Sequence, residues 1–181
     1  MYNKLTQPNF GPKTTKLYQR GFRLLEEQYG TYFKEHYKGI EKIEFSPIYV
    51  TGDDGSSMLN AYVRPTIYDK YGHKATLGLP VKKFIPLSYG LSSHIILDFD
   101  GSGDEVIELM DSEDRLVDVS KVKHLPNEAK LTKARSTDEN ISLLVQDGQL
   151  KDVVKDEKGS PEAEILYNVE LQKGVAQYDS N

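Results

Sequence analysis

The sequence predicts an α+β fold: an N-terminal amphipathic helix packed on a mostly antiparallel sheet (a meander plus a hairpin), with a polar C-terminal segment ending in a strand. Three observations predict it. Apolar residues recur with a helical period through residues 14–37, the period drops to 2 from residue 40, and turns rich in Asp, Gly and Ser separate the alternating runs.

In the helix, Tyr18, Phe22, Leu25, Tyr29, Tyr32, Phe33 and His36 fall at i, i+4, i+7, i+11 and i+14 spacings, which gathers them on one face. His36, on that face, reads as a core histidine. Thr14 or Thr15, after Gly11 and Pro12, is the expected cap, and Gly39 the expected stop. Lys13, Lys16, Arg20 and Arg23 fall on the opposite face, with Lys4, Lys34, Lys38 and Lys42 nearby. Gly21 and Gly30 lower the helical propensity without breaking the pattern.

From residue 42 to 79 the chain reads as a three-stranded meander. Ile43 and Phe45 alternate with Lys42 and Glu44, and Ile48 and Val50 resume after Pro47, a residue suited to an edge or a bulge. After the loop at 51–57, Leu59, Ala61, Val63 and Ile67 share odd positions, with a second edge or bulge signal at Pro65. A turn at 69–73, which takes His73, leads into Ala75, Leu77 and Leu79. Residues 80–91 are a two-proline connection. Ile95, Leu97 and Phe99 form another strand, 100–104 a tight loop and 106–110 the returning strand, with Val117 and Val119 closing that sheet. Residues 120–137 are a basic, proline-interrupted loop containing His124, and 141–154 a short helix or strand pair. Ile165, Tyr167, Val169 and Leu171 alternate as a last strand, and residues 177–181 are expected to fray. The organisation this implies is a helix-plus-sheet domain at 1–125 and a polar, partly ordered extension at 126–181 that contributes one strand.

The composition excludes several functions. With no cysteine there is no disulfide, no thiol nucleophile and no thiolate metal site. No run approaches the ~18 apolar residues of a membrane span, and the first residues lack the apolar stretch of an export signal, so a cytoplasmic location without membrane contact is expected. No phosphate-loop or nucleophile-elbow pattern is present. The net charge of -5 is mild, but it is segregated: the balance is +5 over 1–97, -8 over 98–118, +4 over 119–137 and -6 over 138–181. Such alternation predicts distinct charged patches.

The sharpest local pattern is His94-Ile-Ile-Leu-Asp98-Phe-Asp100-Gly-Ser-Gly. An apolar strand ending in Asp-x-Asp-Gly resembles the first motif of haloacid-dehalogenase-type phosphotransferases, where the first Asp is the nucleophile, the second the acid/base, and Mg²⁺ lies between carboxylate and phosphate. That family opens with the motif and continues as a βα series; here it lies past the midpoint and no such series follows. Asp98, Asp100, Ser102, Gly103 and Asp104 also resemble the first half of an EF-hand loop. Position 12 of that loop, normally a bidentate Glu, is Leu109, with Glu108 one residue early. The EF-hand likeness makes Asp98, Asp100 and Asp104 the ligands of Mg²⁺ or Ca²⁺, and a nuclease could draw its metal-binding carboxylates from these with Glu105 and Glu108. Asp98, Asp100 and His94 are then the catalytic candidates of a metal-dependent nuclease acting on RNA or DNA, because strand alternation puts His94 and Asp98 on one face. The competing reading is a hairpin turn whose Asp and Gly residues supply turn geometry.

The charged segments suggest binding instead of chemistry. The helix face of Lys13, Lys16, Arg20 and Arg23 can meet phosphates, and tyrosines, of which there are 12, can stack on unpaired bases. The acidic block, with Asp104, Glu105 and Glu108 at its centre, can imitate a phosphate pattern or dock into a basic groove. The Lys-, Tyr- and Asn-containing composition without Cys or Trp resembles accessory proteins of Gram-positive mobile elements, and size and charge layout are similar to those of some type II anti-CRISPR proteins, which inhibit the Cas9–guide RNA complex. That resemblance rests on general character and on no motif. It implies a phage- or plasmid-type accessory protein, acting in the host cytoplasm, that binds and inhibits a larger protein or nucleoprotein partner through charged patches, with RNA contact.

Overall fold

A computed structural model describes residues 7–53, 55, 59–87, 90–91 and 94–175. Lys4 and the tail at 177–181 therefore lie outside the described residues, as does part of the 51–57 loop.

The helix α1 runs Pro12–His36 and starts on Pro12 itself. Gly11 occupies the cap position and no side chain bonds there, so the proline at the first helical position, whose fixed φ suits a helix start, takes the place of the expected threonine cap. The apolar stripe is buried as predicted at Phe22, Leu25, Tyr29, Tyr32 and Phe33, while Tyr18 and His36 stay half-buried. His36 stacks on Tyr32 at 4.4 Å between ring centroids and shares a hydrogen bond with the Tyr32 carbonyl at 2.9 Å. The opposite face differs from the two-sided helix expected. Residues 24–30 are buried without interruption, including Glu26, Glu27 and Gln28.

Strands β1 (Tyr37–Lys38), β2 (Ile40–Phe45) and β3 (Ile48–Thr51) follow, then β4 (Asn60–Tyr62), β5 (Pro65–Asp69) and β6 (Lys74–Thr76). The meander is present, but bent. β2 pairs antiparallel with β5 and β3 with β4 in separate ladders. The bend lies where the two prolines interrupt the run: Ser46 N donates to the Arg64 carbonyl at 3.0 Å and Arg64 N to Ser46 Oγ at 2.9 Å. β6 completes the meander against β5, and buried Asp69 closes the turn between them by accepting from the Tyr71 and His73 amides.

The second sheet is β7 (Ile95–Phe99), β8 (Glu105–Met110) and β9 (Leu116–Asp118), all antiparallel. A 3₁₀ turn at Asn127–Ala129 and helix α2 (Arg135–Gln146) come next; the helix alternative for 141–154 is thus realised as far as Gln146, and the helix begins within the stretch read as loop. β10 (Val154–Lys155) pairs antiparallel with β1. β11 (Glu164–Leu166) and β12 (Leu171–Lys173) are two pieces of the predicted last strand, and each lies parallel to its neighbour, β11 to β2 and β12 to β3. Residues 126–175 thus contribute three strands where one was expected. They also bury Ala129, Ile141, Leu144, Leu150, Val153, Ala163 and Leu171 in the same core cluster as α1.

The two helix glycines explain how α1 serves both sheets. A Cβ on Gly21 would stand 2.2 Å from Leu97 Cδ2 of β7, and one on Gly30 3.2 Å from Ile165 Cγ2 of β11. Each glycine costs the helix about 1 kcal/mol of propensity relative to alanine, and at each a strand side chain packs where a Cβ would stand.

Candidate functional site

The stripe Lys16, Arg20, Arg23, Glu27 runs along α1 at i, i+4, i+7, i+11 spacing. At its far end Glu27 is covered by the segment 120–125, which two side chains pin to the helix two turns apart. Arg20 is ion-paired to Glu105 of β8 and donates to the Ser120 carbonyl at 2.9 Å. Glu27 accepts from the Leu125 amide at 3.2 Å and from Arg23 Nε at 3.0 Å, with His124 Nδ1 3.4 Å away. Other buried polar groups of α1 hold neighbouring loops in the same way. Gln28 Nε2 donates to the carbonyls of Met110 and Ala129, and Glu26 accepts from the Asn168 amide at 2.8 Å. Burial pushes the Glu26 carboxyl up to about 9, the Asn168 amide and nearby Arg23 opposing the rise.

Between α1 and the pinned segment lies a groove of about 430 Å³ whose walls carry Lys16, Arg20, Arg23, Lys121, Lys123 and His124, with Glu27 its one carboxylate. Arg20 and Arg23 are engaged internally: Arg23 also lies flat over the Tyr167 ring, 3.7 Å from its centroid. Lys16, Lys121 and Lys123 are exposed and form no ion pair among the described residues. The groove therefore presents exposed ammonium groups beside arginines that are already paired, an arrangement suited to a polyanion. A larger hollow of about 830 Å³ near the end of α1 is lined by Lys34, Lys130 and Lys158 but also by Glu27, Glu35 and Glu157, and Lys130 is paired to Glu35 at 3.2 Å. Its charges balance, so it selects no ion.

The residues singled out from sequence are distributed as follows. Lys13 does not join the groove; its ammonium sits 4.7 Å from the Phe99 ring centroid. Lys16 lines the groove freely, whereas Arg20 and Arg23 shape it. Glu105, expected in a separate acidic patch, is Arg20's partner, so the basic and acidic segments meet. Glu108 lies on the outer sheet face directly across from Asp118 and Ile96. Asp98 is exposed on β7 and accepts from the Phe99 amide at 2.8 Å. Asp100 accepts from the Ser102 and Asp104 amides at 2.8 and 3.0 Å, while its own carbonyl takes the Gly103 amide, and exposed Asp104 completes that loop.

His94 precedes β7 in a turn, so strand alternation does not reach it. It packs toward Tyr29 of α1, 6.4 Å between ring centroids, and its burial lowers the imidazole pKa. The structure does not bring His94 together with Asp98 and Asp100. Among the described residues no group of three or more His, Cys, Asp or Glu side chains is gathered where it could hold a metal ion. Of these carboxylates, Asp98 and Asp100 bond to amides of their own hairpin.

Sequence reasoning passed over Lys121, Lys123 and His124 as partners of the helix stripe. The signal was the +4 balance of 119–137; what it lacked was the pinning by Arg20 and Glu27. Among the described residues no helix is long and apolar enough to cross a membrane. The chain matches no known family model, no curated protein and no solved structure.

Proposed function

We propose that this chain is a binding protein for nucleic acid or nucleoprotein, its principal contact the groove between α1 and residues 120–125, which takes a phosphate backbone. The observation that carries the reading is the convergence of two basic segments about a hundred residues apart, Lys16 with Arg20 and Arg23, and Lys121 with Lys123, on one concave surface. Such a surface gains affinity by releasing counterions from a polyanion. The acidic outer face of β7–β9 is a second contact, suited to a basic surface on the protein part of the same partner. The narrower form of the proposal, from size and charge layout, is inhibition of a Cas9–guide RNA complex in a phage- or plasmid-carrying host.

The test is fluorescence anisotropy of labelled RNA across a salt series, followed by a guided-cleavage assay with the reconstituted complex. Salt-sensitive binding that disappears in Lys16→Glu/Lys121→Glu/Lys123→Glu is the expected result. Binding that this triple reversal leaves unchanged would discard the groove, and undiminished cleavage in the presence of excess protein would discard the Cas9 partner alone.

A further inference from the structure

Between Pro80 and Pro86 the chain makes a tight turn that sequence patterning passes over as connection. Val81 N donates to the Phe84 carbonyl at 2.7 Å and Phe84 N to the Val81 carbonyl at 3.0 Å, closing a two-residue loop. Its corners are Lys82 and Lys83, both left-handed, with φ of 51° and 74°. Consecutive left-handed corners are normally taken by Asn-Gly or Asp-Gly, because a Cβ crowds the carbonyl there, Gly has none, and Asn or Asp offset the cost with a local hydrogen bond. The turn thus holds two lysines in a conformation lysine rarely adopts. Val81 is buried and anchors it, while Lys82 and Lys83 are exposed, Phe84 is 50% exposed and Ile85 38%. Among the described residues neither lysine forms an ion pair. Backbone strain that presents unused cations beside an uncovered ring is what a contact element requires.

We infer that this turn is a stacking element for single-stranded nucleic acid, Phe84 meeting an unpaired base and Lys82 and Lys83 the flanking phosphates. The inference rests on the polyanion reading of the groove and supplies what the groove lacks. No Phe, Tyr or Trp lines the groove, and the nearby Tyr167 ring lies under Arg23. The groove alone meets phosphates of any strand, whereas a free ring distinguishes unpaired bases from paired ones. The basic groove carried by the same chain favours a polynucleotide over an anionic bilayer as the polyanion that both elements meet. The prolines on either side shorten the list of conformations the turn can visit, so little ordering is lost on binding.

The full chain is tested with labelled oligouridine and with an RNA duplex of equal length. The wild type binds the single strand more tightly, and Phe84→Ala loses about tenfold on oligouridine while its duplex affinity is unchanged. Lys82→Asn/Lys83→Gly installs the residues this turn prefers, so it melts no lower than the wild type yet binds oligouridine several-fold more weakly. Wild-type oligouridine affinity in both turn variants, with the groove reversal impaired, overturns the turn and spares the groove. No binding of either probe by the wild type overturns both. If Phe84→Ala instead abolishes binding to phosphatidylserine vesicles and leaves oligouridine untouched, the turn is a membrane contact and the inference fails.

Discussion

The acidic hairpin and the basic groove each concentrate charge of one sign, but their charges are held in different ways. In and beside the hairpin, carboxylates bond to backbone amides a few residues ahead. Asp100 takes those of Ser102 and Asp104, Asp111 those of Glu113 and Arg115, and Asp118 that of Ser120. These are Asx-type turns, and they hold the Asp111 and Asp118 carboxyls below the usual range, Asp111 chiefly through the Arg115 amide and Asp118 through the Ser120 hydroxyl. In the groove, contacts reach across the chain: Arg20 to Ser120, Glu27 to Leu125. Locally satisfied acids make turns wherever the chain goes. Cations brought together over long distances make a surface that exists only in the folded state.

The largest effect that would sharpen this contrast is the groove reversal. Removing three lysine–phosphate contacts is expected to weaken RNA binding by two or more orders of magnitude at low salt and to reduce the salt slope by about 2–3, with the melting temperature nearly unchanged. Glu27→Ala should come next. It strips Arg23 and the Leu125 amide of their buried acceptor, at a cost of about 2–3 kcal/mol in denaturant unfolding, and loosens the 120–125 wall so that affinity falls with it.

A pH series sets the core of α1 against the turn that follows β5. Glu26 is raised in the folded state, so the stability it lends is full below its unfolded value of 4.5 and is lost progressively as pH rises to about 9. Glu26→Gln should flatten that alkaline decline in thermal melts; an identical slope would show the carboxyl to be already ionised. Asp69 runs the other way. Burial pushes its carboxyl up, but the amides of Lys151, Tyr71 and His73 and the His73 imidazole outweigh that and hold it low. Its contribution is present above the model-peptide value of 3.8 and is lost as pH falls below it, so Asp69→Asn should blunt the acid transition and leave the alkaline one in place.

The smallest effects belong to the hairpin loop. Asp100→Ala removes an acceptor for two amides and is expected to lower the melting temperature by about 2–4 °C, while RNA affinity and any metal response stay as they were. Asp98→Ala should do less. A melting temperature that rises with Mg²⁺ or Ca²⁺ and no longer does so in Asp98→Ala would reverse this contrast and return chemistry to the acidic loop.

Much of the fold was legible because it depends on near neighbours. The burial of Phe22, Leu25, Tyr29 and Phe33, the strand alternation at 95–99 and 106–110, and the turn at Asp69 follow from spacing and side-chain type. The burial of Glu26, Glu27 and Gln28 was not legible, since polar residues opposite an apolar stripe read as solvated until loops arrive to cover them. The parallel placement of β11 and β12 was equally hidden, because alternation states which face a strand buries and not which neighbour it pairs with. For the candidate site, the stripe of Lys16, Arg20 and Arg23 was visible, and so was the basic character of 119–137. Their meeting was not.

By itself the sequence determined the α+β class, the long helix, the order of most strands and the segregation of charge, all of which are set by period, turn chemistry and composition within short windows. Only the tertiary structure decided that Glu105 would lock Arg20, that Glu27 would draw residues 120–125 onto the helix, and that two glycines would admit one sheet each. The first two depend on at least partly buried polar groups finding partners 85 and 98 residues away, and the third on strand side chains packing where a Cβ would stand; each acts only once the chain has closed.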